Sequence, residues 1–122
     1  MGTAEIYSAV EKVDEVAESL VVDVTTPEKA YMPLFVVLKE GVELTDDLKK
    51  RINVRIREEC SPRHIPNEIF AVEEIPKTLN GKKLEVPVKK ILSGTPPDEA
   101  ASRDSLANPE ALDSFAALAR RM

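Results

Sequence analysis

The sequence predicts an α+β domain: a small mixed sheet of about three main strands plus a short hairpin, flanked by helices, with a C-terminal tail helix. Three observations predict it. Segments of helical and of strand periodicity follow one another as α-β-β-α-β-loop-α, then a tail helix, an order that gives a small mixed sheet with helices packed against it. The run Leu34-Phe35-Val36-Val37-Leu38 is apolar on both faces, as a central strand covered on both sides must be. The chain has 122 residues, enough for one domain with a modest core.

The elements follow in order. Thr3 can cap a first helix, with Glu5 in its positive first turn. Ile6, Val10 and Val13 recur at helical spacing, with Tyr7 and Val16 beside them, so the helix spans about residues 4–12. The β-branched run over residues 20–24 reads as a strand. Residues 25–29, with Pro27, form a loop, and residues 32–39 form the second strand, ended by Glu40-Gly41. Thr45 caps the next helix, with Asp46 and Asp47 at its positive end. Leu48, Ile52, Ile56 and Cys60 make one apolar stripe on it, and Val54 stands outside that stripe. Arg51 and Arg55 flank the stripe, while Lys50 and Arg57 lie well away from it. Two prolines make residues 61–66 an extended connection. A third strand follows over residues 69–75. After a loop, Leu84, Val88, Ile91 and Leu92 mark a short helix with Pro87 near its first turn. Residues 93–108 carry Gly94, Pro96 and Pro97 without periodicity and read as a linker. Pro109 opens a tail helix with a narrow face of Leu112, Phe115, Ala116 and Ala119, too short to stand unless it docks. The expected division is a domain over residues 1–92, a linker over 93–108 and a tail helix over 109–122.

Charge is unevenly spread. The net charge is −5, but residues 1–48 carry 3 basic and 11 acidic side chains, residues 49–90 carry 11 and 6, and residues 91–122 carry 3 and 5. A basic segment on an acidic chain suits a small anion such as a nucleotide. It suits long nucleic acid poorly: the acidic remainder repels phosphates, and Phe70 is the sole aromatic residue within 49–90. No apolar run approaches the ~20 residues needed to span a bilayer. The N-terminus lacks a basic-then-apolar signal pattern, so a cytoplasmic location is expected. Cys60, the single cysteine, cannot form an internal disulfide, and on the apolar side of its helix it is a small packed residue rather than a nucleophile. One histidine and one cysteine offer no metal constellation, and His64 is expected to be structural or at the surface. A glycine-rich phosphate loop is absent from the sequence.

The stretch Ile75-Pro76-Lys77-Thr78-Leu79-Asn80-Gly81-Lys82-Lys83 concentrates the remaining chemistry. Asn80-Gly81 signals a tight turn, because both residues tolerate positive φ. Lys82 follows the turn, fixed at its base and free at its tip. By itself the pattern also fits a solvated hairpin with surface lysines.

This stretch resembles the C-terminal signature of the adenylate-forming ligases, which reads roughly Pro-Lys-Thr, two residues, Gly-Lys. Residues 61–92 as a run are most similar to the acetoacetate-activating branch, and Gly2-Thr3-Ala4-Glu5-Ile6 is similar to the start of the same domain. The resemblance covers residues 2–118. It implies a mobile small domain of an AMP-forming acid–CoA ligase. Its partner would be a large N-terminal domain of the same chain, which binds ATP with Mg2+ and the acid; the hinge would lie before Met1. It implies that Lys82, rather than Lys77 or Lys83, stabilises the transition state in which a carboxylate attacks the α-phosphate of ATP. Gly81 would give the loop its geometry and Pro76 would stiffen its entry. Arg57 falls at the position that contacts CoA in related enzymes, where a guanidinium fork suits phosphate, although a solvated helix arginine fits the local sequence as well. Arginines often follow the signature lysine in the family; here the run is Lys83-Leu84-Glu85-Val86-Pro87, which leaves the role of Lys83 open. The resemblance also implies a second reading, in which Lys82 is acetylated by a GNAT-type protein acetyltransferase and loses the charge that adenylation needs.

Overall fold

The computed structural model describes residues 4–24, 27–28, 31–60 and 64–121. The Thr3 cap and the prolyl connection at residues 61–63 lie outside these. The described elements are α1 (Ala4–Glu11), β1 (Val16–Val21), β2 (Pro33–Leu38), α2 (Asp46–Glu59), β3 (Glu68–Ala71), α3 (Glu85–Leu92), α4 (Pro97–Ala100) and α5 (Glu110–Arg121), with a 3₁₀ turn at Arg103–Ser105. The sheet order is β1-β2-β3. β1 runs antiparallel to β2, and β3 runs parallel to it after the α2 crossover. The result is the expected mixed three-stranded sheet with helices against it.

Successive residues of β2 point to opposite faces, and both faces are covered. Leu34 and Val36 join Ile6, Val10, Leu48, Ile52 and Ile56 in a core beneath α1 and α2. Phe35 joins Leu20, Ile75, Val88, Ile91, Leu112 and Phe115 in a second core beneath α3 and α5. The Phe35 ring meets Phe115 edge-on at 4.8 Å between centroids and lies over Phe70 at 5.6 Å. The apolar stripe of α2 is buried as its spacing requires, and the Thr45 hydroxyl accepts from the Leu48 N–H at 3.2 Å. Val54 stands on the exposed side of α2, which is why it falls outside the stripe.

The structure differs from the sequence reading in four places. β1 starts at Val16, ahead of the expected residue 20, because Glu18 and Ser19 find partners within the fold. A bulge between Val16 and Glu18 then lets Val16 and Val21 reach the same core. β3 ends at Ala71; Ile75 leaves the sheet and enters the second core. Cys60 is only half-buried at the end of its stripe. Residues 93–108 are not structureless: they contain α4 and the 3₁₀ turn, and they bury Ala100 and Leu106 in the second core. The tail helix docks on this same core through Leu112 and Phe115, with Ala116 and Ala119 packed against it.

Candidate functional site: the Lys82 hairpin

Pro76 leads into a short hairpin whose arms meet as an antiparallel bridge between Lys77 and Lys83. The Gly81 N–H donates to the Thr78 carbonyl at 2.8 Å, and the Thr78 N–H donates to the Lys82 carbonyl at 2.9 Å. Gly81 has φ +82°, whereas Asn80 does not enter the left-handed region. The loop is therefore a type I turn followed by a glycine bulge, and one residue of the Asn-Gly pair supplies the positive φ that the sequence allowed for both. A Cβ at Gly81 would meet nothing within 4 Å, so backbone conformation, not space, selects glycine there. The Thr78 hydroxyl accepts from the Lys82 N–H at 3.1 Å and closes the turn from within.

The hairpin's three lysines differ in surroundings. Lys77 is ion-paired with Glu18 of β1. The Lys83 ammonium lies 2.8 Å from Glu11 Oε2 and 3.6 Å from the centre of the Tyr7 ring, a cation–π arrangement. Glu11 Oε2 also accepts from the hydroxyl of Ser19, which is fully buried. The Tyr7 hydroxyl donates to Glu85 Oε2 at 2.7 Å at the start of α3. Lys82 is exposed, and no carboxylate among the described residues pairs with it. The base of the hairpin is thus tied to α1, β1 and α3, while the ammonium beyond the turn is left to the solvent. Nothing in the sequence signalled Tyr7, Glu11, Ser19 and Glu85 as its supports: all four are distant from it in the chain or unremarkable in type.

A second set of contacts comes from residues 105–108. The Leu79 N–H donates to the Ser105 carbonyl at 3.1 Å, and the Ala107 N–H donates to the Lys77 carbonyl at 3.0 Å. The Asn108 carboxamide accepts from the Lys77 N–H at 3.0 Å and donates to the Ile75 carbonyl at 2.8 Å.

Arg57 lies in the last turn of α2, exposed, with no described contact to the hairpin. Its neighbours on the helix are engaged: Arg51 with Glu15 and Asp47, Arg55 with Glu59. The Arg51 guanidinium holds the Glu15 carboxyl below the usual carboxylate range. Burial pushes the Cys60 thiol up, and the nearby Glu5 and Glu59 carboxylates add to this, so the reactive thiolate is disfavoured. Among the described residues no group of three or more potential ligands gathers to hold a metal ion, and no helix is long and apolar enough to cross a membrane.

Comparison with known proteins bears on this geometry. The family described as AMP-binding enzyme C-terminal domain matches residues 5–82, a match that ends on Lys82. Acetoacetyl-coenzyme A synthetase of Rhizobium meliloti (strain 1021) is 48% identical over 118 residues, covering 97% of this chain and 18% of that protein. The acetoacetyl-CoA synthetase of Caenorhabditis elegans is 44% identical over 117 residues, covering 94% of this chain and 16% of that protein. The solved acetoacetyl-CoA synthetase from Streptomyces lividans superposes with a TM-score of 0.92 at 47% identity, over 99% of this chain and 18% of that one. An acyl-CoA synthetase from Brucella canis gives 0.61 at 32% identity, over 68% and 16%. The chain spans less than a fifth of the length of these relatives. With residues 5–82 matched and this similarity along nearly its whole length, the chain belongs to the AMP-binding enzyme C-terminal domain family.

Proposed function

We propose that this chain is the mobile small domain of an ATP-dependent acid–CoA ligase that activates acetoacetate, and that Lys82 is the cation it delivers to the reacting phosphate. The observation that carries the proposal is the isolation of Lys82: of the hairpin's three lysines it alone has no described carboxylate partner, and it stands beyond a turn whose base is fixed. The names of the relatives support the choice of acid and of CoA.

In the first half-reaction a carboxylate oxygen bonds to the α-phosphorus of ATP while the bond to pyrophosphate breaks. Both reactants are anions, and negative charge gathers on the phosphoryl oxygens. An ammonium is a compact point charge with three donors, and placing it there lowers the repulsion. ATP, its Mg2+ and the acid would be bound by the large N-terminal domain of the same protein. In the second half-reaction this domain turns, Lys82 withdraws, and another face assists the CoA thiol as it gives up its proton and bonds to the acyl carbonyl carbon, breaking the C–O bond to AMP, which leaves. Arg57, exposed at the end of α2, is suited to grip a phosphate of CoA.

The experiment is to measure acyl-AMP formation by the full-length ligase carrying Lys82→Ala. A loss on the order of 10²–10³ in rate is expected, the scale of removing one preorganised charge. Undiminished acyl-AMP formation would reject the assignment.

The same exposure favours a second reading, in which Lys82 is also the acceptor for a GNAT-type protein acetyltransferase that switches adenylation off. Lys77 and Lys83 are held in ion pairs and present their amines poorly by comparison. Incubation with acetyl-CoA and such a transferase, followed by peptide mass mapping, should put the acetyl group on Lys82 first; modification spread evenly over the three lysines would discard this reading.

A further inference from the structure

We propose that residues 105–108 are a positioning strap for the Lys82 hairpin, with Asn108 as its principal positioning residue. The inference rests on the role proposed above for Lys82 and deepens it. The outward-facing backbone groups of the hairpin's first arm all find partners on this strap. The Ile75 carbonyl, the Lys77 N–H, the Lys77 carbonyl and the Leu79 N–H bond in turn to Asn108 Nδ2, Asn108 Oδ1, the Ala107 N–H and the Ser105 carbonyl. Thr78 and Leu106 form an antiparallel bridge, and Leu106 is 5% exposed, anchored in the second core. The arm that ends in the Lys82 turn is therefore the middle member of a small ribbon of three segments of the chain.

The use of Asn108 is informative. An asparagine just ahead of a helix ordinarily turns its carboxamide onto the helix's own first N–H groups. Here the Asn108 backbone carbonyl takes the Ala111 N–H, while its carboxamide pairs with the hairpin in the manner of a neighbouring strand. A cap group has been diverted to fix the arm that carries Lys82. The strap lies outside the family match over residues 5–82.

The test separates the two half-reactions in the full-length enzyme: acyl-AMP formation from acid and ATP, and thioester formation from supplied acyl-AMP and CoA. Asn108→Ala should slow the first about tenfold, since small misplacements of a catalytic group carry large penalties. It should leave the second within about twofold. Added to Lys82→Ala, it should cause no further loss of acyl-AMP formation. If Lys82→Ala is slow and Asn108→Ala is not, positioning by Asn108 is overturned while the reading of Lys82 stands. If Lys82→Ala itself is undiminished, that reading fails and the inference with it. Equal losses in both half-reactions would make Asn108 merely structural and overturn the inference. Should Asn108→Ala fail to fold, Asn108→Asp keeps the acceptor for Lys77 N–H and loses the donor to Ile75, and the same outcomes apply.

Discussion

At the base of the hairpin Lys77 meets Glu18, and Lys83 meets Glu11 beneath the Tyr7 ring; beyond the turn Lys82 meets no described carboxylate. The three side chains are the same and the surroundings are not. A partly exposed ion pair stabilises a fold by about 0–1 kcal/mol, so the pairs at the base matter less for stability than for direction. They fix two of the cations as parts of the domain and leave the third available to something outside it. A lysine at the surface is common; a lysine whose neighbours are all committed is a narrower observation, and it is the one on which the functional proposal stands.

This contrast between base and tip can be broken at its support, at its turn and at its pairs. The largest effect is expected from the support. Phe115 is fully buried against Phe35 beneath the hairpin side of the sheet, and Phe115→Ala should cost about 3–5 kcal/mol in denaturant unfolding. A cost below about 1 kcal/mol would mean that α5 does not belong to the core. Gly81→Ala comes next. With φ at +82° it should cost about 1–2 kcal/mol of backbone strain, read as a lower unfolding midpoint, and it should slow acyl-AMP formation by moving Lys82. A neutral result would show that the turn relaxes without its glycine. Lys83→Met should cost no more than about 1 kcal/mol, combining a partly exposed ion pair with the cation–π contact.

The smallest effect is a pH dependence that should be indifferent to the hairpin. Arg51 holds the Glu15 carboxyl below its ordinary range, so this carboxylate contributes stability above the unfolded-state value. That contribution is lost as pH falls through the lowered folded-state value. Glu15→Gln should flatten this part of the acid limb of an unfolding profile and leave Lys83→Met unaffected in a double variant. Coupling between the two would contradict the separation of α2 from the hairpin.

Much of the scaffold was legible in the sequence because it is written in periodicity. The five apolar residues at 34–38 specify a strand buried on both faces, and the spacing of Leu48, Ile52 and Ile56 specifies the face of α2. What was not legible depends on partners distant in the chain. Glu18 and Ser19 look like poor strand residues until Lys77 and Glu11 are in place. Residues 93–108 look like a linker because their contribution is made by backbone groups, by one carboxamide and by single buried residues such as Leu106, none of which leaves a repeating pattern. For the hairpin, Asn80-Gly81 disclosed that the chain turns, but only the fold decided that Gly81 alone takes the positive φ. The identity of Lys82 as the lysine of interest came from resemblance to a family signature; that no described carboxylate pairs with it is a property of the folded structure.

The most direct test sets Lys82→Ala beside Lys83→Ala in the full-length ligase and follows both half-reactions. Lys82→Ala should slow acyl-AMP formation by about 10²–10³ and spare thioester formation from supplied acyl-AMP, while Lys83→Ala should change acyl-AMP formation by less than about tenfold. Similar losses from the two variants, or a Lys82→Ala enzyme that forms acyl-AMP at the original rate, would contradict the role proposed for Lys82.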